Sequence, residues 1–205
     1  MSHGVSWQVA ISGTFATSSV KTALLLIDIQ REYFRGGAMP LEGATGAAAQ
    51  AKKLLTHCRS SHVPAIFVQH IALEPLAAAF RNASPGVSLY TSIQPLPGEA
   101  VVPKHHPNAF RDTNLLELLR ADEVARVIIC GMMTHMCIDT TTRAAFDYGF
   151  ECIVAGDACA TRDLAFAGET VPAAVVQRAF LAALNGTFAR VMNTDEIVPL
   201  IQTTS

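Results

Sequence analysis

Apolar residues along this chain fall into two alternating patterns, short unbroken runs and longer stretches with helical spacing. The first run, ALLLID, covers Ala23–Asp28. From Gly43 to Ser60 the pattern changes: Ala44, Ala47, Ala48, Ala51, Leu55 and Cys58 recur every three or four residues and share one helix face. Pro64–Gln69 reads as a second strand and Ala100–Pro103 as a short third. Arg126–Cys130, Phe150–Ala155 and Phe188–Met192 are the fourth, fifth and sixth. Helical patterns occupy Thr113–Arg120, Thr134–Tyr148 and Gly168–Leu184, with a last short helix over Thr194–Gln202 capped by Asn193 or Thr194. The proline-rich stretch Ile71–Glu99 has no firm period and is expected to run over the surface.

Strands that are apolar almost throughout, separated by helices, imply a parallel sheet covered on both faces. The expected fold is therefore a three-layer α/β/α domain with a six-stranded parallel sheet, Rossmann-like in plan. It would occupy residues 21–205 behind a small-residue, polar extension at residues 1–20. A length of 205 residues fits one domain with a substantial core. Half the residues are hydrophobic and 16% are charged, with a net charge of -2. There is no basic excess to neutralise phosphates, so no nucleic-acid partner is expected. No apolar run approaches the length of a membrane span, and MSHGVSWQVAISGTF lacks the pattern of an export signal. A cytoplasmic protein acting on a small molecule is the expectation.

In a parallel sheet ligands bind beyond the carboxyl ends of the strands. Three such ends carry reactive groups. Asp28 closes the first strand, Lys104 follows the third, and Cys137 lies in the turn-to-helix segment after the fourth. If Thr134 caps that helix, Cys137 falls in the first turn, where unpaired N–H groups and the helix dipole favour a thiolate. Lys104 would depress the thiol further, and Asp28 could accept the proton. Of the other cysteines, Cys58, Cys130 and Cys152 read as small buried hydrophobes, and Cys159 as packing beside a pocket. The turn after Asp28, DIQREYFRGGAMPLEG, carries neither GxGxxG nor GxxxxGK, and Gln30 stands where a DxD motif would need an acid.

Three blocks together carry a resemblance. DIQREYF resembles the D-x-Q-x-x-F opening of isochorismatase-like cysteine hydrolases. VVPKHHPNAFRDTNLLELLR is similar to their lysine block, and VIICGMMTHMCIDTTTRAAFDYGF to their cysteine block. With VAGDACAT the similarity runs from about Thr22 to Glu196 in the order Asp, Lys, Cys. The resemblance implies Cys137 as nucleophile, Asp28 as general base and Lys104 as their charged partner. It also implies a cis peptide joining Met132 to Met133, whose N–H would complete an oxyanion hole with that of Cys137. Gln30, Phe34, His70 and His135 are the candidates for substrate contact.

Nicotinamidases of that superfamily hold a metal through a D-x-H motif after the second strand. Here VQHIALEPLAAAF offers a lone His70, so no metal and no cofactor is expected. His105 and His106 follow Lys104 but point to opposite sides of an extended chain and are read as surface residues. The expected activity is hydrolysis of a small amide, imide or carbamoyl C–N bond through a thioester. An isochorismatase-type vinyl ether hydrolase with an incidental cysteine, and a non-catalytic binding or assembly module, stay open as alternatives. The resemblance also implies a homo-oligomer.

Overall fold

In the computed structural model, which describes residues 20–201, the chain forms a six-stranded sheet in the order β3-β2-β1-β4-β5-β8. Its strands are β1 (Thr22–Ile27), β2 (Ala65–His70), β3 (Ala100–Lys104), β4 (Arg126–Met132), β5 (Glu151–Ala160) and β8 (Arg190–Met192). Every pairing is parallel. The extension at residues 1–19 and the expected helix end at Gln202 lie outside the described residues.

The alternation of a strand's side chains builds both faces at once. From β1, Leu24 and Leu26 pack with α1 (Ala44–Ser60) and with Ile197 of α5 (Thr194–Ile197). Ala23, Leu25 and Ile27 point the other way, into a cluster holding Leu115 and Leu119 of α2 (Leu115–Ala121), Ala145 of α3 (Asp139–Asp147) and Leu184 of α4 (Ala173–Leu184). The helix face read from the alanine spacing is buried as expected, with Leu54 added to it. Pro103 is tolerated in β3 because that strand is the sheet edge, where a missing N–H breaks no ladder.

Several boundaries differ from expectation. Gly168 does not open a helix; at φ +82 it turns a hairpin between β6 (Leu164–Phe166) and β7 (Glu169–Val171). The helix starts only after Pro172, with the Asp163 carboxylate accepting the Ala173 N–H at 2.7 Å. Strand β5 runs five residues past the expected end. Between the pairs Ile129↔Val154 and Gly131↔Cys159 it carries three more residues than β4. That bulge brings Asp157 to the Thr194 N–H and hydroxyl, each at 2.9 Å, and docks α5. The cap of α5 is Asn193, in a capping box with Glu196.

Candidate active site

The order of the sheet reverses between β1 and β4, with β2 and β3 wound out on one side and β5 and β8 on the other. At such a switch point the chain leaves neighbouring strand ends in opposite directions, and a crevice opens between them. Asp28 and the segment carrying Cys137 stand on its two sides.

Asp28 follows β1 with φ +52, a left-handed conformation seldom taken by residues other than glycine. It is held there by its N–H on the Val68 carbonyl at 2.9 Å and by its own carbonyl, which accepts the Gln30 N–H at 2.8 Å. Lys104 is the last residue of β3 and reaches across the end of β2. Its Nζ lies 2.7 Å from Asp28 Oδ2, and both side chains are 0% exposed. The same nitrogen donates to the His106 carbonyl at 3.0 Å and to Cys137 Sγ at 3.3 Å. Three residues far apart in sequence thus meet around one ammonium.

Cys137 sits in a π turn over Thr134–Ile138 that precedes α3. Single π turns of this kind often mark functional sites, because the wider ring breaks the regular helical ladder. Here the Met133 carbonyl accepts from Met136 and Ile138, passing over Cys137 between them. The Met132–Met133 peptide is cis, at the bond the family resemblance implied. Thr134 is not the cap. Its buried hydroxyl donates to Gln177 Oε1 of α4 at 2.6 Å, and the Gln177 amide donates onward to the Gly156 and Cys159 carbonyls. The turn carrying Cys137 is tied to α4 rather than capped by its own first residue.

The charge state of Cys137 differs from the expectation. Burial and then the Asp28 carboxylate push the thiol up to about 12, and the opposing pull of Lys104 does not offset them. The helix-terminus argument left out desolvation, which dominates for a thiol only 6% exposed. Burial also disfavours the charge on Lys104, but Asp28 and Cys137 outweigh it and hold the ammonium above its ordinary value. The resting site is a neutral thiol beside a buried ion pair.

Around this centre Gln30 has all its side-chain polar groups engaged with main chain. Its amide donates to the His70 and Val87 carbonyls at 2.8 and 2.7 Å, and its oxygen accepts the His70 N–H at 2.9 Å. Phe34 is stacked on Tyr90 with ring centroids 3.5 Å apart. His70 presents Nδ1 to Lys104 Nζ at 3.4 Å, and burial followed by the lysine charge lowers its pKa. His135 meets the Thr161 hydroxyl through Nδ1 at 2.5 Å, also with a lowered pKa caused first by burial. His106 is more than a surface residue, since its carbonyl holds Lys104. His105 is exposed, as expected, and donates Nδ1–H to the Ile71 carbonyl.

Further residues around the centre were not singled out from the sequence, apart from Cys159, read there as packing beside a pocket. Tyr33 is buried, and Asp28 and Cys137 both add to the burial that raises its phenol, so its hydroxyl lies within electrostatic reach of the centre. Buried Glu32 accepts the Ala38 and Phe80 N–H groups at 2.8 and 3.1 Å, pinning the Ile71–Glu99 excursion to the turn after β1. Gln177, Thr161 and Cys159 line a cleft of about 240 Å³ with Ala160, Ala173 and Glu42, at the end of β5. Cys58, Cys130, Cys152 and Cys159 are all free and buried. Among the described residues no helix is long and apolar enough to cross a membrane, and no group of three or more His, Cys, Asp or Glu could hold a metal.

Comparisons with known proteins agree on one family. The isochorismatase domain model matches residues 22–196. The uncharacterized isochorismatase family protein YddQ of Bacillus subtilis is 45% identical, over 85% of this chain and 97% of its own. The crystal structure of an isochorismatase-type hydrolase from Oleispira antarctica is 46% identical with a TM-score of 0.85, covering 90% of this chain and 99% of that one. A cysteine hydrolase from Pseudomonas syringae pv. phaseolicola superposes with a TM-score of 0.84 at 27% identity, covering 89% and 92% of the two chains. Relatives named as amidases include nicotinamidase 3 of Arabidopsis thaliana, 31% identical over 68% of this chain and 73% of its own. Ureidoacrylate amidohydrolase RutB of Agrobacterium fabrum is 24% identical over 67% and 75%. Matched over most of its length by the domain model and by close relatives, the chain belongs to the isochorismatase family of hydrolases.

Proposed function

We propose that this protein is a cysteine amidohydrolase that cleaves a small amide, imide or carbamoyl C–N bond through a thioester on Cys137. The observation that carries the reading is the buried contact of Lys104 Nζ with both Asp28 Oδ2 and Cys137 Sγ, at 2.7 and 3.3 Å. A vinyl ether hydrolase working through an aspartic acid alone has no use for a thiol at that ammonium. The relatives named as nicotinamidase and ureidoacrylate amidohydrolase lend support to C–N cleavage.

Because the thiol stands near 12, no thiolate waits in the resting site, and its proton leaves as attack begins. Asp28 takes the Sγ proton while sulfur bonds to the substrate carbonyl carbon and the C=O electrons move to oxygen. The N–H groups of Met133 and Cys137 receive that oxyanion. Asp28 then delivers its proton to the departing nitrogen, the C–N bond breaks, and a thioester remains. A water gives a proton to Asp28 and attacks the thioester, the C–S bond breaks to release the carboxylic acid, and Asp28 returns its proton to the departing sulfur, restoring the thiol. Lys104 keeps its charge throughout and steadies whichever of Asp28 and Cys137 carries the negative charge. Phe34, His70 and His135 form the wall against which the substrate lies, and Gln30 fixes the backbone of that wall. The reaction needs no metal or cofactor, and we place it in the cytoplasm, in a homo-oligomer.

A panel of small primary amides, imides and carbamoyl compounds assayed by ammonia release tests this. A responding compound should also add its acyl mass to Cys137 in intact-protein mass spectrometry, and Cys137→Ala should lose turnover. Full turnover by Cys137→Ala would overturn the reading.

A further inference from the structure

The Lys104 ammonium has three N–H donors and four acceptors around it. Asp28 Oδ2 lies at 2.7 Å, the His106 carbonyl at 3.0 Å, Cys137 Sγ at 3.3 Å and His70 Nδ1 at 3.4 Å. The carbonyl, the sulfur and the imidazole each stand in hydrogen-bonding geometry to the nitrogen, one for each of its protons, and the Asp28 carboxylate is its charge partner.

An ammonium has no lone pair and can only donate. The nitrogen of His70 that faces it is therefore the bare one, and the imidazole proton resides on Nε2. The surroundings keep the ring in that form. Burial is the main cause of its lowered pKa, with Lys104, His105 and His106 adding to it and Asp28 alone opposing. The rest of the residue is held as well: Gln30 engages its N–H and its carbonyl, and the Phe80 ring meets the imidazole edge-on at 5.2 Å.

We propose that His70 is a positioning residue of the catalytic centre, the acceptor that holds one Lys104 N–H through every stage of the reaction. A neutral thiol and a thioester sulfur are both weak acceptors, so without His70 the lysine would bury a poorly satisfied donor at rest and in the thioester stage. Donating that N–H to His70 Nδ1 keeps Lys104 in place beside Asp28 while Asp28 activates water. This rests on the thioester reading above, but its first test does not.

That test uses the resting protein and its iodoacetamide adduct. Alkylation forms an S–CH₂ bond at Cys137, releases iodide and sends the thiol proton to solvent, leaving a thioether that accepts as poorly as a thioester. Imidazole ¹⁵N spectra should show His70 as the Nε2–H tautomer with a pKa below the ordinary histidine value. After alkylation the tautomer and the lowered pKa should both persist, because this hydrogen bond does not depend on the sulfur. A resting Nδ1–H tautomer, or its appearance on alkylation, overturns the proposal whether or not any amide is a substrate.

With a responding amide in hand, His70→Leu should slow thioester hydrolysis by about tenfold or more, the loss expected for a hydrogen bond to a charged group. The thioester should then accumulate in mass spectra, and kcat and KM should fall together as its hydrolysis becomes limiting. His70→Asn, whose Oδ1 can stand near the place of Nδ1, should restore most of the rate. Equal rates for His70→Leu and wild type would overturn the positioning role, and equal losses for the two variants would reduce His70 to packing.

Discussion

Lys104 Nζ stands 2.7 Å from Asp28 Oδ2 with both side chains withdrawn from water. Two charges buried together are tolerated because each offsets the other's desolvation, and removing one leaves the other exposed to the full penalty. Lys104→Met should therefore destabilise the protein by about 3–5 kcal/mol. The double variant Asp28→Asn/Lys104→Met should recover a large part of that, since no lone charge is left inside. Urea unfolding monitored by circular dichroism measures both. Additive losses in the double variant would mean that the two groups do not depend on one another.

The same carboxylate has opposite effects on two kinds of reactivity. It raises the Cys137 thiol, second only to burial, yet in the proposed reaction it is the base for amide attack. Asp28→Asn should therefore increase the thiolate fraction near neutral pH and speed alkylation of Cys137 by iodoacetamide. Hydrolysis of a responding amide should meanwhile fall by about 10²–10⁴-fold, the usual worth of a positioned acid–base group. Peptide mapping of the alkylated protein and ammonia release give the two rates. A parallel fall in both would show that Asp28 maintains the site's shape rather than moving its proton.

The fold was largely legible because burial on both sheet faces leaves unbroken apolar runs, and ALLLI feeds alternate side chains to two cores. Asp28, Lys104 and Cys137 were legible for a related reason: parallel topology sends all three strand ends to one edge. The thiol's charge state was not, because helix position is local in sequence while desolvation depends on everything packed around the sulfur. The role of Gln177 was equally hidden. It lies 43 residues from Thr134, and only the docking of α4 joins them. Glu32 sits between Arg31 and Arg35 in the polar-looking stretch QREYFR, and its burial follows from an excursion without periodicity. The hairpin Leu164–Val171 was lost because Gly168 suits a helix start less than the turn it makes, a distinction that spacing does not resolve.

Buried thiols make stability fall at alkaline pH. Burial lifts Cys58, Cys137, Cys152 and Cys159 to about 12 from an ordinary value of 9.0. The folded state thus holds those protons more tightly than the unfolded chain. Their contribution is fully present below pH 9 and is lost progressively from there up to about 12. Each such group removes up to about 1.4 kcal/mol per pH unit in that window. Thermal midpoints should hold steady from neutral pH to the lower edge of the window and then drop steeply. Cys58→Ala, far from the catalytic centre, should flatten the drop by one group's share, whereas an unaltered slope would assign the alkaline loss to other residues.

Gly131 offers the sharpest test of how the crevice is held open. It pairs with Ile27 in the ladder between β4 and β1, immediately before Asp28. Its φ is +133, and a Cβ there would lie 1.9 Å from the Ile27 carbonyl oxygen, with the carbonyl carbon and nitrogen of the same residue at 2.7 and 2.9 Å. Backbone in mid-sheet cannot swing aside as a side-chain tip can, so Gly131→Ala has to push β1 and β4 apart or flip a peptide. Either movement displaces Asp28 relative to Cys137. Gly149 is the control: its φ is +90 as it ends α3, but a Cβ there would meet nothing within 4 Å. Gly149→Ala should cost only the left-handed penalty of about 1–2 kcal/mol. For a chain of this size that is a loss of several degrees in Tm. Gly131→Ala should exceed about 4 kcal/mol, in the range reserved for severe local disruption. If it folds at all, it should leave Cys137 alkylation and amide turnover both impaired. Similar melting curves for the two alanine variants would show that the β1–β4 junction yields more readily than its geometry allows.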